Sequence, residues 1–327
     1  MRAIVIVLFL FFTLHSEDEY TFGEGVQIGS LPLYVGGYIS TDIEVKEYEN
    51  RYRLDDIAVL LYGGYSKFSY LAEFEFKDFY TYIDTKDTSY SEQDRSIHTE
   101  RLYFDYNHDE NFALRLGKYN SNIGFWNLLP INVLRETTSS PKSTYLIFPK
   151  FTTGVDASYN SYSDGVFSIN TTLQNNKSID DGYNNYNIDE HYALGVAYEF
   201  DEYTLKLNGG YFHSYDEDIS EYYYMLLSGR YESEKVQVLA EFGSQRDNGN
   251  FSTKYAGYVQ GVYRFTEKHI GIMRIESFQD VRNDKQDNMA IFGYTYRPLY
   301  PIAFKGEYQF HKVDDDNVFL FSFSVLF

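Results

Sequence analysis

Residues 315–327 alternate to the end of the chain: Phe319, Phe321, Phe323, Val325 and Phe327 fall on one face, Ser322 and Ser324 on the other. A period of two is the mark of a β-strand with one apolar and one polar face. The pattern recurs at 301–311, where Ile302, Phe304, Tyr308 and Phe310 oppose Lys305, Glu307 and Gln309. It recurs at 66–77, with Phe68, Tyr70, Phe74 and Phe76 against Ser69, Glu73, Glu75 and Lys77, and at 203–212, with Tyr203, Leu205, Leu207 and Tyr211 against Lys206 and Asn208. Sixteen such segments can be marked: 33–45, 53–64, 66–77, 96–106, 111–118, 152–160, 165–175, 189–200, 203–215, 220–232, 234–245, 253–266, 268–280, 286–297, 301–311 and 315–327. Several run to ~10–13 residues, which suits a tilted strand crossing a bilayer.

The gaps carry a second regularity. After even-numbered strands they are short, as at Tyr65, at Asp201 and Glu202, and at Arg297 and Pro298. After odd-numbered strands they are often longer and acidic. The loop at 78–95 holds Asp78, Asp84, Asp87, Glu92 and Asp94, and the loop near 176–188 holds Asp180 and Asp181. Gly63-Gly64 and Asp164-Gly165 read as hairpin turns. An even strand count, short turns at one end and long loops at the other predict a closed antiparallel transmembrane β-barrel of about sixteen strands, because lipid tolerates no open sheet edge.

Composition separates this reading from a soluble sandwich or propeller, whose strands also alternate. Aromatics make up 19% of the 327 residues, with 35 Tyr and 27 Phe, the load expected of two interfacial girdles. The absence of cysteine excludes a disulfide scaffold and thiol-based metal or nucleophile sites. A net charge of −20 argues against nucleic acid as a partner. Residues 1–16 read as a signal peptide, with Arg2, an apolar run over 3–14 that is too short to span a bilayer, and Ser16 before the cut. Residues 17–30 then form an N-terminal periplasmic segment, and 31–327 the barrel. Terminal Phe327, closing an alternating strand, resembles the assembly signal of bacterial outer-membrane barrels; the resemblance implies outer-membrane lipid and the outer-membrane assembly machinery as partners.

Residues 119–151 break the rhythm. They hold Pro130, Pro141 and Pro149, three of 6 prolines, and the charges Arg135, Glu136, Lys142 and Lys150, a net positive stretch in an acidic chain. A long loop in a compact domain tends to be functional. Parity places the basic residues Arg101, Arg115, Lys206, Arg230, Arg264, Arg274 and Lys305 on the polar face of the wall. The acidic residues there are Glu73, Glu75, Asp105, Glu199, Glu241, Glu276 and Glu307. Rings of charge set channel selectivity. Here the signs nearly balance, which predicts a general polar lumen or salt-bridge ladders that solvate the wall.

The run Arg115-Leu-Gly-Lys-Tyr-Asn-Ser-Asn-Ile-Gly-Phe-Trp-Asn127 resembles a stretch in the porins related to the phosphate-selective (O/P-like) family. Thr137-Thr-Ser-Ser-Pro141, Ile147-Phe-Pro149 and Leu31-Pro-Leu-Tyr-Val-Gly-Gly-Tyr38 resemble it too, so the detailed match covers about a fifth of the chain. The resemblance implies a homotrimeric outer-membrane porin passing small polar or ionic solutes by passive diffusion. It also implies that 119–151 folds inward as a constriction loop. The chain departs from the family in lacking a basic ladder down the lumen. Arg115, Arg135, Lys142 and Lys150 are then the expected constriction cations, with Arg101, Asp105, Glu73 and Glu75 on the lumen wall, and the expected selectivity is weakly anionic or near neutral. A surface structural or adhesive barrel with a closed lumen is the alternative. The 7 histidines are scattered and no H-E-x-x-H, G-x-S-x-G or Walker loop is present. Asp314-Asp-Asp316 lacks the spaced oxygens of a calcium loop. No catalysis, cofactor or metal is expected.

Overall fold

The computed structural model describes residues 21–215, 221–313 and 317–327. The signal peptide and the Asp314–Asp316 run lie outside the described residues. The strands are β1 (Val26–Gln27), β2 (Leu33–Val45), β3 (Glu49–Tyr65), β4 (Phe68–Thr85), β5 (Ser89–Glu92), β6 (His98–Asn107), β7 (Phe112–Asn120), β8 (Phe151–Tyr162) and β9 (Val166–Asn175). They continue with β10 (Ile188–Phe200), β11 (Tyr203–Ser214), β12 (Glu221–Glu232), β13 (Val236–Asp247), β14 (Asn250–Arg264), β15 (His269–Asp280), β16 (Lys285–Tyr296), β17 (Ile302–His311) and β18 (Val318–Leu326). The wall consists of β2–β4 and β6–β18, each antiparallel to its neighbour, and β18 pairs with β2 to close it. That is the sixteen-stranded closed barrel the alternation predicts. Among the described residues no helix is long and apolar enough to cross a membrane.

Two local expectations need correction. The stretch 78–95 is not all loop: β4 continues to Thr85, and β5 pairs with its end. The strand was hidden because Asp78 takes a φ of 50° beside a register shift at Leu54 and Asp56, which resets the alternation. Gly63 and Gly64 lie within β3, and the turn falls on Ser66 and Lys67, with Ser66 at φ 57°. Gly63 serves close approach instead, since a Cβ there would sit 1.9 Å from the carbonyl oxygen of Pro32.

Gap lengths sort the rims. One rim has only short turns, the longest being 297–301, while the other carries 121–150 and 176–187. The outer surface is banded. Tyr192, Tyr211 and Tyr223 stand side by side on β10–β12, with ring centroids 6.2 and 5.1 Å apart. Tyr203 and Tyr231 form a second row at the short-turn end, 5.0 Å apart. Leu205, Leu207, Met225 and Leu227 are exposed between the rows. Eight residues separate Tyr203 from Tyr211, roughly 26 Å along a strand, which matches an apolar band flanked by aromatic girdles.

β1 and the end of β18 come together against β2 at a seam on the short-turn rim. β18 stops at Leu326 opposite Tyr38, and β1 takes over the pairing with β2 at Val35 and Tyr34. The amide of Phe327 donates to the carbonyl of Gly37, and that of Gly37 donates back, both at 2.8 Å.

Candidate functional site: the lumen and its loops

Residues 121–150 leave the long-loop rim after β7 and pack against the inside of the opposite wall. Their path is held by inward side chains of successive strands. On β11, Lys206 donates to the Asn122 side chain at 2.8 Å and the Gly124 carbonyl at 3.1 Å, and Asn208 accepts from the Gly124 amide at 3.1 Å. On β13, Glu241 accepts from the amides of Phe125 and Trp126 at 2.5 and 3.1 Å, at the start of a 3₁₀ turn over Trp126–Leu128. On β15, Glu276 accepts from the Lys142 amide, which opens the short helix α1 (Ser143–Leu146). Arg274 donates to the Ser139 carbonyl and hydroxyl at 3.0 and 2.7 Å. On β17, Lys305 donates to the Asn132 side chain at 2.7 Å. Glu307 accepts from the Ser139 amide and hydroxyl at 3.1 and 2.6 Å.

These pairings satisfy backbone groups that a loop without regular structure would otherwise bury unpaired. Burial adds to them. Ile123, Ile147 and Phe148 pack with Phe212, Tyr222 and Leu226, and Ile131 and Val133 pack with Tyr38, Ala58 and Leu60. On the lumen side the alternative is water, so each fully buried apolar side chain contributes about 1.5–3 kcal/mol.

The loop lies against β11–β18 and also meets β2 and β3 through Ile131 and Val133. A cavity of about 690 Å³ remains, lined by β2, β3, β4 and β6 with parts of β17 and β18. The loop contributes Arg135, Lys142 and Lys150 to its lining, together with Tyr145, Ser139 and Ser140. All six lining carboxylates come from four neighbouring wall strands: Asp42, Glu44, Asp55, Asp56, Glu75 and Glu100. Wall cations partner most of them. Arg53 pairs with Asp42 at 2.6 Å, Lys46 with Glu44 at 2.6 Å, and Lys77 with Asp55 at 2.9 Å and with Asp56. Glu100 lies 3.9 Å from Lys150 and accepts from the Tyr38 hydroxyl at 3.2 Å. The loop's one acid, Glu136, is paired with Arg297 at 3.1 Å, and Arg135 donates to the carbonyls of Leu129 and Pro130 at 2.5 and 2.6 Å. Charge is therefore polarised across the cavity, with cations on the loop and surplus carboxylates on the wall.

No family profile matches this sequence, and no curated protein matches it. Solved structures do. The OmpF porin of Salmonella typhi, solved with daunomycin, matches at a TM-score of 0.65 with 12% identity, over 90% of this chain and 97% of that one. The outer-membrane protein OmpT of Vibrio cholerae matches at 0.59 with 12% identity, over 92% and 99% of the two chains. An anion-selective porin from Comamonas acidovorans matches at 0.58 with 9% identity, over 90% and 99%. The chain shares their fold.

The expected site residues divide into two groups. Arg135, Lys142, Lys150 and Glu75 line the cavity. Glu73, Arg101, Asp105 and Arg115 stand outside its lining. Arg101 pairs with Glu73, and Arg115 pairs with Asp105 at 2.7 and 2.9 Å near the short-turn rim, its guanidinium 4.0 Å from the Tyr103 ring. Of the other wall charges, Lys206, Glu241, Arg274, Glu276, Lys305 and Glu307 are anchors of the loop rather than a free ladder. Sequence reasoning missed Asp55, Asp56 and Glu100, because two adjacent polar residues on a strand break the period. Asp42 and Glu44, in the segment marked 33–45, also line the cavity. The stretch near 176–188, expected as a long external loop, instead brings Gly182, Tyr183, Asn184 and Asn185 to the cavity lining. Among the described residues no group of three His, Asp or Glu could hold a metal ion.

Proposed function

We propose that this chain is an outer-membrane porin, a water-filled channel for passive diffusion of small polar or ionic solutes. The observation that carries the reading is the 690 Å³ cavity left beside the inward loop, polar on both sides and polarised across its width. A closed structural barrel would have no use for an inward loop that leaves a cavity of this polarity beside it. The loop cations Arg135, Lys142 and Lys150 constrict the path and favour small anions slightly, because low-dielectric walls strengthen their field. The wall carboxylates oppose them, so the preference is weak. The segments resembling the phosphate-selective porins supply the loop and not a basic ladder, so the solute class stays general. The signal peptide delivers the chain to the periplasm, Phe327 directs its assembly, and the barrel works as a homotrimer. Reversal potentials in a planar bilayer under a salt gradient test the reading. Ohmic channels with weak anion preference are expected, and a barrel that inserts without conducting would overturn it.

A further inference from the structure

The loop 176–187, between β9 and β10, reaches β6 and β4, three and four wall strands away from β9. Asp180 accepts from the Thr99 amide at 2.7 Å and lies 3.3 Å from His98 Nδ1, both on β6. Its carbonyl accepts from Lys118 at 3.1 Å. The Tyr183 hydroxyl donates to Glu75 on β4 at 2.6 Å. Its ring stacks on His98, with centroids 4.6 Å apart and planes at 14°, and on Phe151 at 6.0 Å and 25°. Asn185 ties the same loop to the first one, donating to the Phe148 carbonyl at 2.8 Å and accepting from the Lys150 amide at 2.7 Å. Asn184 exchanges two hydrogen bonds with the backbone of Phe151.

A surface loop is expected to run over solvent. This one is fastened at both sides of the cavity, and Tyr183 touches each: Phe151, next to Lys150, on the cationic side, and Glu75 on the acidic side. We propose that residues 180–185 form a second constriction, and that Tyr183 is a specificity-determining residue for the solutes that pass. Its ring sets the gap between the two charged sides, and its hydroxyl fixes the Glu75 carboxylate beside the path. Because Asp180, Asn184 and Asn185 hold the loop independently, the Tyr183 side chain can be changed without releasing it.

The inference rests on the channel reading and is tested on the full-length protein in planar bilayers. The chain has no cysteine, so a Tyr183→Cys variant carries a single thiol. Tyr183→Ala is expected to raise single-channel conductance on the order of twofold, since it removes the widest side chain of the strap. Modifying the Tyr183→Cys variant with an anionic thiosulfonate should shift the reversal potential toward cations, and a cationic thiosulfonate should shift it toward anions. A Ser163→Cys variant, in an exposed turn at the opposite rim, should respond to neither reagent. Full modification by mass with no change in conductance or reversal potential would overturn the proposal while leaving a conducting wild type, and so the channel reading, intact. A wild type that does not conduct would remove both.

Discussion

Glu307 on β17 accepts both the backbone amide and the hydroxyl of Ser139, at 3.1 and 2.6 Å, across 168 residues of sequence. With Glu241 and Glu276 it makes three buried carboxylates, on β13, β15 and β17, that each grip a turn of the inward loop. Hydrogen bonds to charged groups contribute about 1.5–3 kcal/mol each. Glu307→Ala should therefore loosen the loop tip, leaving Arg274 to hold Ser139 alone. Single-channel recordings should show a larger conductance with more open-channel noise. An unchanged, quiet channel would mean that packing of Ile131 and Val133 holds the tip.

Selectivity should follow the cavity lining and not the wall charges as a whole. Arg135→Glu together with Lys142→Glu should move the reversal potential to the cation side. Arg115→Ala should leave it where it is, because Arg115 forms a neutral pair with Asp105 outside the lining. Exposed charges are screened over about 8 Å at physiological ionic strength, so the same substitutions in high salt should have smaller effects.

Two roles for Phe327, closing the seam against Gly37 and directing assembly, can be tested separately. Deleting Phe327 should reduce the heat-modifiable barrel in the outer-membrane fraction while secretion to the periplasm continues. Gly37→Leu keeps the terminal residue but crowds its seat, since a Cβ at Gly37 would lie 2.9 Å from the Phe327 ring and 2.4 Å from the Ala58 carbonyl. Loss of assembly in both variants would assign the defect to the seam. Loss in the deletion alone would assign it to recognition of the terminus.

Gly117 sits in β7 at φ 132°, where a Cβ would lie 2.1 Å from the Leu102 carbonyl oxygen. Gly117→Ala should lower barrel stability by about 1–3 kcal/mol, the usual cost of a backbone conformation forced on an L side chain. Thermal unfolding in detergent, followed by the gel shift of the folded form, measures it. No loss of stability would show that β7 and β6 can shift register to make room.

The short turn at 108–111 offers a pH test outside the membrane. The amides of Phe112 and Asn111, at 2.8 and 2.9 Å, hold the Asp109 carboxyl below its ordinary value near 3.9. A carboxylate with a lowered folded pKa stabilises above its unfolded pKa and loses that contribution as pH falls through the folded one. Protection of the Phe112 and Asn111 amides against hydrogen exchange, corrected for intrinsic rates, should therefore fall as pH drops below about 4. Asp109→Asn should remove the pH dependence.

What the sequence determined by itself is the wall. A period of two is a local property, so 33–45 could be marked residue for residue as β2, and parity could place Lys206, Glu241 and Glu307 on the inner face. Short gaps made neighbours in sequence neighbours in space. Where the period breaks, at Asp55-Asp56 and at Glu100, residues that line the cavity are not legible. The tertiary structure alone decided what the inner face meets. Lys206 finds Asn122 across 84 residues, Glu307 finds Thr138 and Ser139, and Tyr183 finds Glu75 across 108. Those partners depend on the path of loops without periodicity, held by contacts no local pattern encodes. The same inward parity therefore makes Glu307 an anchor and Glu75 a lining residue of the cavity.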